Sequence, residues 1–76
     1  MEIGMKLKSA RQKCGLTQEK AAEAVGVSRQ TISNWENEKS YPDIVSVIRL
    51  SSLYSVSLDE LLKGDKEMIE HLEEST

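Results

Sequence analysis

Two short helical patterns separated by a tight turn constrain the fold of this chain most strongly. The first pattern follows Thr17, an N-capping residue type, and ends at Gly26, which readily takes the left-handed conformation that stops a helix. The second pattern follows Ser28, another N-capping residue, only two positions later. Two helices joined by a turn as short as Gly26-Val27-Ser28 cannot lie antiparallel side by side. The sequence therefore predicts a pair of helices that cross at a steep angle.

The residues before this pair indicate a first helix with one apolar face. Ile3, Leu7, Ala10 and Cys14 recur at helical spacing, and Gly15 follows as a natural stop. This stripe predicts that Cys14 is a small core residue, and a redox role for it is the less favoured alternative. A single cysteine also excludes an internal disulfide and a multi-cysteine zinc site.

The residues after the pair indicate two more helices. A polar stretch over 37–43 holds the only proline and predicts a loop, and Asp43 can cap a fourth helix. The apolar side chains of this helix that we expect to face inward in part are Ile44, Val47, Ile48, Leu50, Leu53 and Tyr54. Ser57-Leu58-Asp59-Glu60 is a capping box for a fifth helix that ends near Gly64. The sequence shows no sustained alternation of apolar and polar residues that would indicate a strand. We therefore predict a compact all-α domain of five helices over residues 1–64.

The acidic segment 65–76 has two open interpretations. Met68, Ile69 and Leu72 could form the apolar strip of a sixth helix, or the segment could be a frayed acidic terminus. The chain could also be the amino-terminal piece of a longer protein.

The length of 76 residues allows one small domain. A core of this size rarely gives a free energy of unfolding above about 3–5 kcal/mol unless a disulfide, a metal or a partner chain adds to it. Oligomerisation is therefore an expected source of stability. No apolar run approaches about 18 residues, and Met1–Gly4 does not start a signal peptide, so we expect a soluble, cytoplasmic protein with no membrane partner.

A net charge of −3 argues against a polyanionic partner, but the charges are unevenly placed along the chain. Residues 1–39 hold seven basic and five acidic side chains, whereas residues 65–76 hold five acidic ones and a single lysine. The amino-terminal half is therefore mildly basic, and the acidic total reflects the tail.

The second helix of the crossed pair has a distinctive outward face. At about 100° per residue, Ile32 and Trp35 lie on one side, while Gln30, Ser33 and Asn34 project from the other. Gln and Asn can pair with adenine in the DNA major groove, and Arg with guanine, each good pair giving about 1–3 kcal/mol of discrimination. A merely solvated face would normally include glutamate. The carboxylate-free face, flanked by Arg29, therefore indicates DNA reading.

These residues match a known family. Residues 16–39, LTQEKAAEAVGVSRQTISNWENEK, closely resemble the phage repressor and Cro-like helix-turn-helix family, also called the XRE family. The resemblance continues through Tyr41-Pro42-Asp43 and Val56–Leu62, and covers about residues 3–64. It implies a lambda-repressor-like fold with the helix-turn-helix at helices 2 and 3. It also implies a sequence-specific DNA-binding transcriptional regulator, a repressor, acting as a homodimer on a double-stranded operator.

The resemblance assigns roles to individual residues. Those expected to read bases are Arg29, Gln30, Ser33 and Asn34, and those expected to contact the DNA backbone are Thr17, Gln18, Ser28, Thr31, Asn37 and Lys39. Arg11 and Glu36 match a family pair, for which a purely structural role is favoured. Glu38 stands where the family often has glycine, and Lys39 is the only base of that loop, so phosphate neutralisation per subunit should be modest.

Other functions remain as alternatives or are excluded. His71 near Glu67, Glu70 and Glu74 could hold a metal, but a solvated acidic tail is favoured, and no metal or cofactor is expected. We do not expect an enzyme or a small-molecule substrate, because the chain lacks both the catalytic residue pairs and the volume for a pocket. The main alternative is an antitoxin or adaptor module that uses the same fold to bind a protein.

Dimerisation is expected through helix 5 and the loop before it. The residues proposed for this contact are Val56 and Leu58, with Met68–Leu72 as a further candidate.

Overall fold

A computed structural model describes residues 3–63 and 66–74 of the chain, with side chains for 3–63 and 69–73. Within these ranges the chain is all-helical, as predicted. The helices are α1 Ile3–Lys13, α2 Gln18–Val25, α3 Arg29–Glu36, α4 Ile44–Tyr54, α5 Leu58–Leu62 and α6 Lys66–Glu74. The first five lie within residues 1–64, as predicted, and residues 66–74 form a sixth helix, which was one of the two interpretations left open for this segment.

The predicted capping residues begin α2, α3, α4 and α5. The Thr17 hydroxyl accepts from the Lys20 backbone N–H at 3.1 Å, and the Ser28 hydroxyl accepts from the Thr31 N–H at 3.1 Å. Asp43 and Ser57 make the corresponding bonds at the starts of α4 and α5. These side chains satisfy backbone donors that a helix start leaves free, which explains why local sequence defined these boundaries.

The turn between α2 and α3 has the geometry that the sequence predicts. Gly26 adopts φ 84°, in the left-handed region, and its N–H donates to the Ala22 carbonyl. Only glycine takes this conformation without strain, so α2 ends here and α3 starts three residues later.

The core lies between α1, α2, α3 and α4, with α5 and α6 closing one side. Its buried apolar residues are Ile3, Leu7, Ala21, Ala22, Val25, Ile32, Trp35, Val47, Leu50, Tyr54, Leu61 and Leu72. Two consecutive alanines on α2 leave little side-chain volume there, so α2 can lie close to α3. The helices of the crossed pair therefore contact each other directly through apolar side chains.

The amino-terminal end of α1 lies against the end of α3. A Cβ atom added at Gly4 would be 2.7 Å from the Glu36 carbonyl oxygen and 2.8 Å from that of Trp35. Gly4 therefore permits a backbone approach that any larger residue would block.

Helix α6 is attached to the core by Leu72 and His71. Leu72 is buried, and the His71 ring stacks on Tyr41 with ring centroids 4.9 Å apart. At least this part of the acidic segment therefore packs on the helical domain.

One sequence-based expectation about burial is wrong, and a second holds only in part. Cys14 is exposed rather than in the core, because α1 ends at Lys13 and its buried face follows the spacing Ile3, Leu7, Arg11. Ile44 and Ile48 are also exposed, at 37% and 49%. The buried face of α4 instead runs through Val47, Leu50 and Tyr54, so its aliphatic residues cover more than one side of the helix.

In the described ranges, no helix combines the length and the apolar character needed to cross a membrane.

Candidate nucleic-acid interface

The outward face of α3 carries the residues predicted to read bases. Arg29 and Gln30 are exposed, and Ser33 and Asn34 are half-buried. The helix buries Ile32, Trp35 and Glu36 on its other side. None of the four outward side chains is a carboxylate, so the surface offers amides, a hydroxyl and one guanidinium.

Three hydrogen bonds link the polar side chains of this surface in pairs. The Gln30 amide Nε2 donates to Asn34 Oδ1 at 3.0 Å. Asn37 Nδ2 donates to Ser33 Oγ at 3.2 Å. The hydroxyls of Ser28 and Thr31 lie 2.8 Å apart. Helical projection placed Gln30, Ser33 and Asn34 on the outward face but did not identify these hydrogen-bonded pairs. The spacings of three and four residues could have suggested them, because side chains so spaced are neighbours on a helix.

A buried carboxylate connects α1, α2 and α3. Glu36 accepts from Arg11 Nε at 2.7 Å and from Arg11 Nη2 at 3.1 Å. It also accepts from Gln18 Nε2 at 3.1 Å. Arg11 Nη1 donates in addition to the Leu16 carbonyl at 2.8 Å. The bidentate bond to Glu36 raises the pKa of the Arg11 guanidinium.

This network also determines what Gln18 can do. The sequence predicted Gln18 as a contact to the DNA backbone, but one of its amide hydrogens is used by Glu36. Its second amide hydrogen and its carbonyl oxygen remain for another partner. The bond also brings the start of α2 next to the end of α3, which sequence reasoning did not predict.

Asn37 and Lys39 lie in the turn that directly follows α3. Lys39 is exposed, and its backbone N–H donates to the Asn34 carbonyl at 2.8 Å. Between them Glu38 has φ 61°, the left-handed conformation that a glycine would adopt without strain. An exposed carboxylate therefore stands between the two predicted phosphate contacts.

Arg49 of α4 has a structural role that the sequence did not reveal. Its Nη1 donates to the Val25 carbonyl at 3.1 Å, at the carboxyl end of α2. A cation at this position satisfies a terminal carbonyl and opposes the helix dipole. Arg49 thus supports the turn before α3.

The residues predicted for dimerisation are in different environments. Val56 and Leu58 are half-buried and pack against the core, and Leu72 is buried. Ile69 is 40% exposed, and the Met68 side chain lies outside the described residues. The exposed Ile44 and Ile48, which the sequence interpretation had placed partly inside, and the exposed Val45 add apolar surface on α4.

The chain is similar to known proteins over most of its length. A family model described as helix-turn-helix matches residues 7–61. The HTH-type transcriptional regulator ImmR of Bacillus subtilis (strain 168) is 44% identical over 66 residues, which cover 87% of this chain and 52% of ImmR. The HTH-type transcriptional activator BcrR of Enterococcus faecalis is 46% identical over 66 residues, covering 87% of this chain and 32% of BcrR. The chain thus spans about half or less of the length of these relatives.

A solved structure shares the fold. The P22 c2 repressor protein, determined in complex with a synthetic operator, superimposes with a TM-score of 0.77 at 35% identity. The similarity covers 83% of this chain and 96% of that chain. The similarity of fold therefore extends over most of this chain.

Proposed function

The chain belongs to the helix-turn-helix family of phage repressor and Cro-like (XRE) type, and from this membership we propose that it is a sequence-specific DNA-binding transcriptional regulator, acting as a repressor. One observation of the structure supports the proposal most directly. The outward face of α3 combines Arg29, Gln30, Ser33 and Asn34, all able to bond base edges and none of them acidic. In this proposal α3 enters the major groove.

The backbone contacts come from the starts of α2 and α3 and from the turn that follows α3. Helix starts carry free N–H groups and a partial positive charge, which favour phosphate. Gln18 would offer its remaining amide hydrogen at the start of α2. Asn37 and Lys39 would contact phosphate beyond the end of α3, with Ser28, Thr31 and Thr17 at the groove edge.

The charge of this surface predicts a weak dependence on salt. Arg29 and Lys39 are its basic side chains, and Glu38 lies beside Lys39. Each neutralised phosphate contributes roughly −0.9 to the slope of log K against log salt. Arg29 is assigned to a base, so Lys39 is the basic side chain left to neutralise a phosphate, and we expect a slope of roughly −1 per subunit and roughly −2 for a dimer. Specificity would rest on base contacts more than on phosphate clamps.

The proposal includes a homodimer on an operator with two half-sites. One subunit has a short reading helix and few phosphate contacts, so its affinity for DNA would be limited. A second subunit would double the number of base contacts and of phosphate contacts. The exposed aliphatic residues Ile44, Val45 and Ile48, together with Val56 and Leu58, supply apolar surface for a partner copy. Residues 1–64 would form the DNA-binding domain, and 65–76 an acidic tail of which 66–74 is helical.

Selection of bound sequences from a random duplex pool tests this function. We expect one enriched motif present as two half-sites, and loss of that motif with the variant Gln30→Ala/Asn34→Ala, whose circular dichroism and thermal melt remain those of the parent chain. The variant Gln12→Ala, an exposed glutamine on α1, is the matched control and should keep the motif. No enrichment with the parent chain, or an unchanged motif with the double variant, would contradict the proposal. A protein-binding module of the antitoxin or adaptor kind would give the first of these results.

A reporter assay then tests the sign of regulation, and sedimentation tests the dimer. We expect lower transcription from a promoter that overlaps the selected site. We also expect association at high micromolar concentration that Ile48→Glu weakens.

A further inference from the structure

A cleft lies between α1 on one side and the end of α4 with α5 on the other. Its volume is about 390 Å³, which is within the range of roughly 300–1,000 Å³ that small-molecule sites have. The length of the chain had suggested no room for such a site. Within the described residues, none that lines the cleft belongs to α2, α3 or the turn after α3, so the cleft is separate from the proposed DNA interface.

One wall of the cleft is a single face of α1. It is formed by Met5, Lys6, Ser9, Ala10 and Lys13, whose positions repeat at helical spacing. The two lysines are seven residues apart, which places them about 10 Å apart along the helix axis. The small side chains of Ser9 and Ala10 lie between them. This wall therefore has room in its middle and a positive charge at each end.

The opposite wall is largely apolar. Tyr54, Val56 and Leu61 contribute apolar surface to it, and Glu60 is its acidic residue. Tyr54 and Leu61 are buried in the core, and Val56 packs against that core. The shape of this wall is therefore determined by the packing of the domain itself.

The charges around the cleft favour an anionic ligand. Two lysines and one glutamate line it, so its charge is positive although the chain as a whole carries −3. Lys6 Nζ donates to the Lys63 carbonyl at 2.6 Å, which holds the ammonium group in place and leaves it two further N–H donors. Apolar walls with a few polar groups that fix orientation are the usual composition of a small-molecule site.

We propose that this cleft binds a small organic carboxylate. The apolar body of the ligand lies against Ala10, Val56 and Leu61, and the ammonium groups of Lys6 and Lys13 attract its carboxylate. The inference goes beyond the proposed function and does not depend on it, because none of these residues is assigned to DNA.

Titration of the isotope-labelled chain, followed by NMR without DNA, tests this site. Three probes share one body and differ in charge: phenylbutyrate is an anion, phenylbutanamide is neutral and phenylbutylamine is a cation. We expect phenylbutyrate to shift the amide signals of residues 5–13 and 54–61, with a Kd of about 2 mM or lower for its roughly twelve non-hydrogen atoms. The amide should bind about 2- to 5-fold more weakly, which is what a solvent-exposed ion pair contributes, and the amine more weakly still.

A pair of double variants tests the role of charge. Lys6→Gln/Lys13→Gln should remove the preference for the carboxylate over the amide. Lys8→Gln/Lys20→Gln makes the same change in net charge at two exposed lysines that do not line the cleft, and it should keep the preference. Thermal melts establish that both variants are folded.

A pair of single variants tests the role of volume. Ser9→Tyr places a large side chain in the cleft at an exposed helix position, and it should abolish the shifts caused by phenylbutyrate. Gln12→Tyr adds the same side chain at an exposed position of α1 outside the cleft, and it should leave the titration unchanged.

Four results would overturn the proposal. The first is the absence of shifts at about 20 mM phenylbutyrate, roughly ten times the expected Kd. The second is an amine that binds as tightly as the carboxylate, and the third is equal binding by the two variants of either pair. The fourth is a change in the cleft signals when the parent chain is diluted without any probe, because a second copy of the chain would then occupy the cleft. DNA binding by the parent chain is measured separately, so its outcome does not alter any of these results.

Discussion

Breaking the buried ion pair between Arg11 and Glu36 on one side only should strongly destabilise this domain. Replacing Arg11 by methionine keeps much of the side-chain volume but leaves the Glu36 carboxylate with Gln18 as its remaining side-chain donor. The side chains of Arg11 and Glu36 are only 11% and 2% exposed, so water cannot readily replace the lost bonds.

The expected loss is large relative to the stability available. Removing one partner of a buried ion pair costs about 3–5 kcal/mol, because the other charge stays buried without compensation. A domain of this length has a free energy of unfolding of roughly 4–11 kcal/mol. Arg11→Met should therefore remove at least about a quarter of that free energy, and all of it if the domain is only marginally stable.

Urea unfolding followed by tryptophan fluorescence measures this loss. Trp35 is the only tryptophan of the chain and is 5% exposed next to Glu36, so its emission reports the unfolding of the core. The control is Lys20→Met, which breaks the exposed pair of Lys20 and Glu23, with N and O 3.9 Å apart and side chains 69% and 65% exposed. Its cost should stay within about 0.5 kcal/mol.

A double variant tests the physical reason for the loss. Arg11→Met/Glu36→Leu removes both charges, so no uncompensated carboxylate remains and most of the stability should return. The reasoning is refuted if Arg11→Met costs less than about 1 kcal/mol, or if the double variant is as unstable as the single one.

Two further predictions concern packing. Gly4→Ala should cost about 1–3 kcal/mol, because its methyl group would meet the Glu36 carbonyl oxygen at 2.7 Å, and more than Gly15→Ala, where φ is 70° but no atom lies within 4 Å; thermal melts that show the opposite order would contradict this. Tyr54→Phe should stabilise the domain by about 1 kcal/mol, because the buried Tyr54 hydroxyl has no hydrogen-bond partner among the described residues. Burial raises the pKa of Tyr54 to about 12. Folding therefore favours the neutral phenol, so the free energy of unfolding of the parent chain is unaffected by this group below pH 10 and falls as the pH rises towards 12. Urea unfolding at pH 8 and pH 11 should therefore show a smaller alkaline loss for Tyr54→Phe than for the parent chain, and equal losses would disprove this origin.

The sequence allowed prediction of the features that depend on local chemistry. The capping side chains and the glycine stops act within a few residues, so Thr17, Ser28, Asp43, Ser57 and Gly26 could be assigned without knowing the fold. The two faces of α3 were also predictable, because its polar and apolar residues alternate at a clear helical spacing.

The sequence did not define features that depend on neighbouring elements. Helix α4 has aliphatic residues on several sides, and only the positions of α1, α2 and α5 decide that Val47 is buried while Ile48 is exposed. For the same reason Arg11, and not Cys14, takes the last buried position on α1: its guanidinium meets the carboxylate of Glu36, which lies 25 positions further along the chain. A hydrophobicity pattern cannot identify a buried arginine, since its burial depends on that distant partner.

The same eight residues of α3 both fill the core and carry the proposed reading surface, and the Glu36 network explains how the helix can do both. Glu36 directly follows the buried Trp35 and is bonded from α1 by Arg11 and from α2 by Gln18. These bonds restrict rotation of α3 about its own axis, which apolar contacts through Ile32 and Trp35 alone would restrict less, because apolar contacts have no preferred direction. Asn34 lies two residues before Glu36, so its direction depends on that rotation. The ion pair is therefore structural in its contacts, and by restricting the rotation of α3 it helps to keep Gln30 and Asn34 on the outward face.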